Sequence, residues 1–267
     1  MPEHPWLLTA LAGLAVCAAL AFVTWLASLA RRDASLVDRF WSALVVGPAL
    51  VYFLRFDPTG PRSVWLLALA VAWALRLGLY VTIRNWGHGE DRRYQDIRAR
   101  NQPHFEVKSL YLVFGLQALL AWVVGAPFLS ALAGARPLGP IDIAGLALAA
   151  FGLVFEAVGD AQMARFKADP ATQGHVMDRG LWRYTRHPNY FGEACLWWGF
   201  WLVALGASGG AGAWTIVSPL LMTTLLLKVS GVTLLEKSIA ERRPGYREYV
   251  EQTNAFIPGP RRRGGSA

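Results

Sequence analysis

Residues 180–205 of this chain read GLWRYTRHPNYFGEACLWWGFWLVAL, a polar run that passes directly into an apolar one. The apolar part, 190–205, is predicted to be a membrane helix, and Pro188 favours a helix start at this point. Polar side chains at a bilayer boundary are costly to place, so they usually bind a ligand or take part in chemistry. Arg183 and Arg186 beside a helix N-terminus are typical of an anion site.

The composition is typical of an integral membrane protein. Of the 267 residues, 54% are hydrophobic and 16% are charged, whereas soluble domains have about 25% charged residues. Cys17 and Cys195 both lie in apolar runs, so neither a disulfide framework nor a cysteine metal site is predicted. His175 and His187 are too isolated to indicate a metal site, and none is predicted.

Seven apolar segments predict an all-α integral membrane protein with about seven transmembrane helices. Most are close to the roughly 20 residues that a helix needs to cross the hydrocarbon core. Helices are expected because lipid offers no hydrogen-bond partner to a free backbone. The segments are 6–30, 40–56, 64–83, 110–133, 141–158, 190–205 and 213–235.

The positive charges predict the orientation of these helices. Most of the 26 Lys and Arg residues fall in loops on one side, so we expect the N-terminus outside and the C-terminus in the cytoplasm. Topology and contact with anionic membrane lipids account for the net charge of +8, and no nucleic-acid partner is predicted. One transmembrane domain is expected over 1–258, followed by a disordered tail over 259–267.

Several polar residues are predicted at one depth, the cytoplasmic ends of the helices. Such a layer indicates a pocket that opens to the cytoplasm. Glu156, Asp160 and Lys167 are spaced i, i+4 and i+11, which places them on one helical face if their helix continues that far. Simpler roles are also open, because Arg76 can pair with a carboxylate between helices and Lys228 can extend to the interface. The layer comprises Asp38, Arg76, Tyr80, Glu156, Asp160, Asn189, Glu193, Lys228 and Glu236.

The run 180–193, followed by Trp197-Trp198-Gly199, resembles the C-terminal region of the steroid 5-alpha-reductase superfamily. The similarity is greatest to its bacterial branch of uncharacterised membrane proteins, and it is strongest over 156–258. Seven helices with a cytoplasmic C-terminus also match that family. Further matching features are Asp38 with Trp41, EDRRY at 90–94, Asp160 with Gln162, Ser230-Gly231, Glu236-Lys237, and Tyr246 and Tyr249 leading to Phe256-Ile257-Pro258.

The resemblance implies an NADPH-dependent enzyme that reduces a carbon–carbon double bond conjugated to a carbonyl in a lipid-like substrate. It implies that 1–133 binds the lipid and that 141–258 binds NADPH, at a cytoplasm-facing site in the bacterial inner membrane. Arg183, Arg186, Tyr246 and Arg247 are added for the cofactor phosphates, and His187 is also predicted to bind the cofactor. Positions that match cofactor contacts are Glu156, Asp160, Lys167, Tyr184, Asn189, Glu193 and Lys228.

The substrate side of the resemblance rests on fewer residues. The steroid enzymes hold the substrate carbonyl with a carboxylate and a tyrosine. Asp38 takes the place of the carboxylate, and Tyr80 is the nearest candidate for the tyrosine. Arg76 or Arg84 can polarise the carbonyl instead. The lipid is left open between a sterol, an isoprenoid, a quinone-like ring and an unsaturated fatty chain.

Two other functions fit the same residues. Arg-His-Pro followed by Tyr and Gly also occurs in membrane methyltransferases of the isoprenylcysteine carboxyl type, which use S-adenosylmethionine. A non-enzymatic role in lipid binding or assembly is the third hypothesis. The three classes differ in their ligand: NADPH, S-adenosylmethionine, or neither.

Overall fold

The regular structure of the described chain is helical throughout. A computed structural model describes residues 5–229 and 245–262, and within these ranges no strand occurs. Two π-helical turns lie within the longer apolar stretches, at Leu110–Gly115 and Leu225–Val229. The α-helices are α1 (Pro5–Arg31), α2 (Leu36–Phe56), α3 (Pro61–Arg84), α4 (Arg92–Arg100), α5 (Phe105–Ser109), α6 (Leu116–Val124), α7 (Ala126–Ala133), α8 (Pro140–Ala168), α9 (Pro188–Ser208), α10 (Val217–Thr224) and α11 (Tyr246–Gln252). Short 3₁₀-helices occupy Pro170–Thr172, Gly180–Arg183 and Gly209–Ile216.

Six described stretches are long and apolar enough to cross a membrane, which is consistent with an integral membrane protein. Five of them contain the first five predicted segments with extended ends. The most useful extension is that of α8, which continues through Lys167 and so carries Glu156 and Asp160 on the same helix. The stretches are Trp6–Arg31, Leu36–Phe56, Pro61–Arg84, Phe105–Ala133, Pro140–Ala168 and Pro188–Lys228.

The last stretch, Pro188–Lys228, has 41 residues and contains a chain reversal. Gly209 has a φ of +62°, and a Cβ built on Gly212 lies 2.5 Å from the carbonyl oxygen of Ala204. Residues eight apart in a straight helix are about 12 Å apart, so the chain turns back here. The reversal lies between the sixth and seventh predicted segments, 190–205 and 213–235. The seventh predicted segment, 213–235, extends beyond the described residues, and the count of seven and the orientation stay predictions.

The chain divides into two compact units. The first comprises Met1–Ile143 and Leu202–Ser218, and the second comprises Ala144–Trp201 and Pro219–Ala267. The boundaries fall inside α8, α9 and α10. The assignment of 1–133 to the lipid and of 141–258 to NADPH stays a prediction.

The first unit packs α1, α2 and α3 with the helices of residues 105–133. Tyr52, Trp73 and Phe114 are among its large buried side chains. Its outward residues are apolar as well: Leu54 is 79% exposed and Trp65 is 60% exposed. Large exposed apolar surfaces are rare on soluble monomers and are expected where lipid is the surrounding solvent.

In the second unit, α8 and α9 are in direct backbone contact along two rows of glycines. Gly145, Gly152 and Gly159 are seven residues apart on α8, as Gly192 and Gly199 are on α9. A Cβ built on Gly192 lies 2.5 Å from the Glu156 nitrogen, and one built on Gly199 lies 2.6 Å from the Gly145 oxygen. Small residues at such spacing let membrane helices approach closely.

Candidate functional site

A cluster of buried acidic and amide side chains lies where α8 meets the start of α9. Glu156, Asp160 and Glu193 are 2%, 4% and 7% exposed. The Asn189 Nδ2 donates a hydrogen bond of 3.1 Å to Asp160 Oδ1. Gly159 permits this approach, because a Cβ at this position would lie only 3.2 Å from the Asn189 backbone nitrogen. The structure therefore brings together four residues predicted for cofactor binding, and we call them the acidic cluster.

The chemistry of the acidic cluster fits a ligand rich in hydroxyl and amide groups. The Asn189 Oδ1 is buried and receives no hydrogen bond within the described ranges. Leaving a buried acceptor unsatisfied costs about 1–3 kcal/mol, so a donor from a ligand is favoured there. Ionised carboxylates accept hydrogen bonds only. Ribose hydroxyls and a nicotinamide carboxamide supply donors of this kind, so the residues present fit the nicotinamide nucleoside part of NADPH.

The basic residues predicted for cofactor binding divide into an exposed and a buried group. Arg183 is exposed, as are Lys167, Lys228 and Arg247, and Tyr184 is 49% exposed. Arg186 instead is 9% exposed, and its Nη1 donates to the carbonyl oxygens of Val250 and Thr253 at 3.0 and 2.5 Å.

Two aromatic members of the predicted set, His187 and Tyr246, are buried. His187 is 5% exposed, and its ring stacks on Tyr190 with centroids 5.2 Å apart. Tyr246 is 6% exposed and packs beside Tyr249. The rings of His187 and Tyr246 therefore lie in the interior of the second unit, and Tyr190 is half-buried.

A second polar cluster lies in the first unit, around the hydroxyl of Tyr94. This hydroxyl donates a hydrogen bond of 2.6 Å to Asp38 Oδ1 and accepts one of 3.0 Å from Gln117 Nε2. Arg93 reaches the other oxygen of Asp38 at 3.0 Å. We call Asp38, Tyr94, Gln117 and Arg93 the phenol cluster.

The Tyr94 hydroxyl stays protonated at neutral pH. The side chain is buried, and burial raises the pKa of Tyr94 well above its ordinary value. The negative charge of Asp38 and the hydrogen bond to it raise this pKa further, and they outweigh the opposing effects of Arg93 and Gln117. Tyr94 is therefore a neutral O–H donor, and its proton is directed to Asp38.

The acidic residues of 90–94 hold Tyr94 in place. The Asp91 side chain accepts a hydrogen bond from the Arg93 nitrogen and caps α4. Glu90 accepts hydrogen bonds from the Ala34 nitrogen at 2.8 Å and from Arg98 at 2.8 and 2.9 Å. Partial burial raises the pKa of Glu90, but these hydrogen bonds and the charge of Arg98 outweigh it and keep the pKa below its ordinary value.

Gln117 is positioned by an irregular helix. It follows the π-helical turn Leu110–Gly115, which interrupts the apolar stretch Phe105–Ala133. Such turns are frequent at functional sites, because the extra residue redirects the side chains that follow. Placing a glutamine side chain in this apolar stretch costs free energy, and its hydrogen bond to Tyr94 offsets part of that cost.

Tyr94, Arg93 and Gln117 were not singled out as site residues by the sequence. The predicted tyrosine, Tyr80, lies on α3 with the Arg84 guanidinium 5.7 Å from its ring centroid. Arg76 lies one turn earlier on the same helix and is half-buried. Their predicted roles stay predictions, whereas the phenol that hydrogen-bonds Asp38 is that of Tyr94.

The described residues form a helical fold that is consistent with an integral membrane protein, and it contains two clusters of polar groups. A family model described as "Protein of unknown function (DUF1295)" matches residues 24–253, and the chain belongs to this family. The chain is 28% identical over 273 residues to the Uncharacterized protein C594.04c of Schizosaccharomyces pombe, covering 92% of this chain and 78% of the yeast protein. No solved structure matches.

Proposed function

We propose that this protein is an NADPH-dependent membrane reductase that saturates a carbon–carbon double bond conjugated to a carbonyl in a lipid-like substrate. The observation that carries the proposal is the buried Tyr94 hydroxyl, held between Asp38 and Gln117. Conjugate reduction places negative charge on the carbonyl oxygen, and an oriented O–H donor stabilises that charge. Membership of the DUF1295 family and the resemblance to the steroid 5-alpha-reductase superfamily support the same reaction class.

We assign the electrophilic role to the phenol cluster. The Tyr94 proton points to Asp38 in the resting chain, and it turns to the carbonyl oxygen when substrate binds. Arg93 continues to neutralise Asp38 during this rotation, since it bonds the other carboxylate oxygen. Gln117 keeps its hydrogen bond to the phenolic oxygen and favours negative charge there as Tyr94 shares its proton.

We assign cofactor binding to the acidic cluster and the exposed cations. NADPH, when bound, supplies the hydride that adds to the β carbon of the substrate. Asn189 and the carboxylates of Glu156, Asp160 and Glu193 accept hydrogen bonds from hydroxyl and amide groups. Phosphates are assigned to the exposed side chains of Lys167, Arg183, Lys228 and Arg247, which carry the positive charge that anions require.

Ligand-induced stabilisation tests this assignment. The melting temperature of the detergent-purified protein should rise with NADPH and stay unchanged with S-adenosylmethionine. At ~100 times its dissociation constant, a ligand adds about 2.7 kcal/mol to the free energy of unfolding. Asn189→Ala and Glu193→Ala should remove the NADPH shift, whereas Glu251→Ala, which alters an exposed carboxylate of the same unit, should keep it.

The methyltransferase is the second candidate, and one observation favours it. Three buried carboxylates also suit a ligand with a positive centre, and S-adenosylmethionine carries a sulfonium and an amine. A melting shift with S-adenosylmethionine alone would replace the reductase by a methyltransferase. An NADPH shift that persists in both Asn189→Ala and Glu193→Ala would place the cofactor elsewhere.

A further inference from the structure

The segment that follows residue 244 lies against the polar run 182–186 of the same unit. Hydrogen bonds join backbone groups of the two segments to each other or to side chains. They include Arg186 N to Asn254 O at 2.9 Å, Gly259 N to Tyr184 O at 3.0 Å, Thr185 Oγ1 to Phe256 O at 2.8 Å, and Tyr249 OH to Trp182 O at 2.5 Å. The two segments therefore form one structural piece although about 70 residues separate them.

Arg186 caps the C-terminal end of α11. Its guanidinium donates to the carbonyl of Val250, in the last turn of α11, and to that of Thr253, directly after the helix. The last carbonyls of a helix have no partner within the helix and carry its negative dipole end, so a buried cation is favoured there. Arg186 thus bonds the end of α11 with its side chain and the Asn254 carbonyl with its backbone nitrogen.

The docked segment also reaches the first turns of α9. Phe256 packs edge-to-face on Phe191, with ring centroids 5.9 Å apart. Phe191 lies between Asn189 and Glu193, two members of the acidic cluster. Residues 261 and 262, at the end of the described segment, make further contacts. Arg261 pairs with Asp178 at 3.3 Å, and the Arg262 nitrogen donates to the Gln252 carbonyl at 2.9 Å.

We propose that residues 245–262 form a fixed wall of the cofactor site and that Arg186 is a positioning residue that fastens this wall to the start of α9. In this proposal Arg186 does not bind the cofactor phosphates, although the sequence predicts them as its ligands. The consequence for nucleotide binding rests on the proposed function, whereas the fastening itself does not.

The test compares Arg186→Gln with Arg183→Gln, an exposed arginine in the same run. Hydrogen exchange over residues 245–262, measured without nucleotide, should speed up on the order of tenfold or more in Arg186→Gln, because hydrogen bonds from a charged group are lost. It should not change in Arg183→Gln. Arg186→Gln should weaken NADPH and NADH equally, whereas Arg183→Gln should weaken NADPH more, since only NADPH carries the additional phosphate.

Two results would overturn the assignment. One is unchanged exchange over 245–262 in Arg186→Gln, and the other is a selective loss of NADPH over NADH in that variant. If the wild-type protein binds neither nucleotide, the proposed function fails while the exchange experiment still decides the fastening. If Arg186→Gln does not fold, Tyr249→Phe removes only the bond to the Trp182 carbonyl, and exchange over the same residues should still increase.

Discussion

Replacing Tyr94 by Phe should lower the rate of substrate reduction by about 10²–10³, the usual cost of removing one donor to a developing oxyanion. The ring and its packing remain, and only the hydroxyl between Asp38 and Gln117 is lost. NADPH binding should not change, because the acidic cluster is untouched. The measurement is the rate at which deuterium from C4-deuterated NADPH appears in the lipid product.

Tyr111→Phe is the matched control for this variant. Tyr111 also lies in the first unit, but its side chain is 60% exposed. Its loss of a hydroxyl should leave the rate unchanged. A Tyr94→Phe protein with full activity would remove the phenol cluster from the mechanism, and it would return Tyr80 and Arg76 to consideration.

Gly192→Ala should destabilise the second unit and abolish the melting shift with NADPH. The added Cβ meets backbone atoms at 2.5 Å (Glu156 N) and 2.7 Å (Gly152 O), which cannot move aside as a side chain could. The helices must separate, at a cost of about 1–3 kcal/mol for such overpacking. Separation also displaces Glu156 from Asn189 and Glu193, so stability and cofactor binding should be lost together.

Gly210→Ala provides the control, since a Cβ at Gly210 has no neighbour within 4 Å. Its melting temperature and its NADPH response should match the wild type. A Gly192→Ala protein that keeps both properties would show that the close contact of α8 and α9 is not needed for the site.

Local sequence patterns predicted the helices well, because a membrane span is determined by the hydropathy of its own residues. Each of the first five segments lies inside a described helical stretch, and the largest difference is at α8, which continues ten residues beyond the predicted end at 158. The spacing of Glu156, Asp160 and Lys167 also anticipated that all three lie on one helix.

Contacts between residues far apart in the sequence could not be predicted from these local patterns. Asp38 and Tyr94 are 56 residues apart, and no periodicity connects them. The run 90–94 is one of the features that match the family, but only the hydrogen bond of Tyr94 to Asp38 indicates a role for its tyrosine. The seven-residue glycine spacing on α8 and α9 was present in the sequence and could have indicated their close packing.

Residues 259–262 and Arg186 are further examples of contacts that local sequence patterns do not predict. Residues 259–267 were predicted to be disordered from their composition, yet Gly259 and Arg262 make backbone hydrogen bonds to Tyr184 and Gln252. Residues 263–267 lie outside the described ranges. The phosphate role of Arg186 is a prediction from its charge, whereas the carbonyl groups that its guanidinium bonds cannot be recognised in the sequence.

The most direct test of the central claim follows an isotope into lipid. The purified protein is incubated with a membrane lipid extract and either NADPH deuterated at C4 of the nicotinamide or S-adenosylmethionine with a deuterated methyl group, and the lipids are analysed by mass spectrometry. We predict a lipid that gains deuterium on carbon from NADPH and loses one double bond. Transfer of a deuterated methyl group, with no deuterium from NADPH in any lipid, would contradict the reductase.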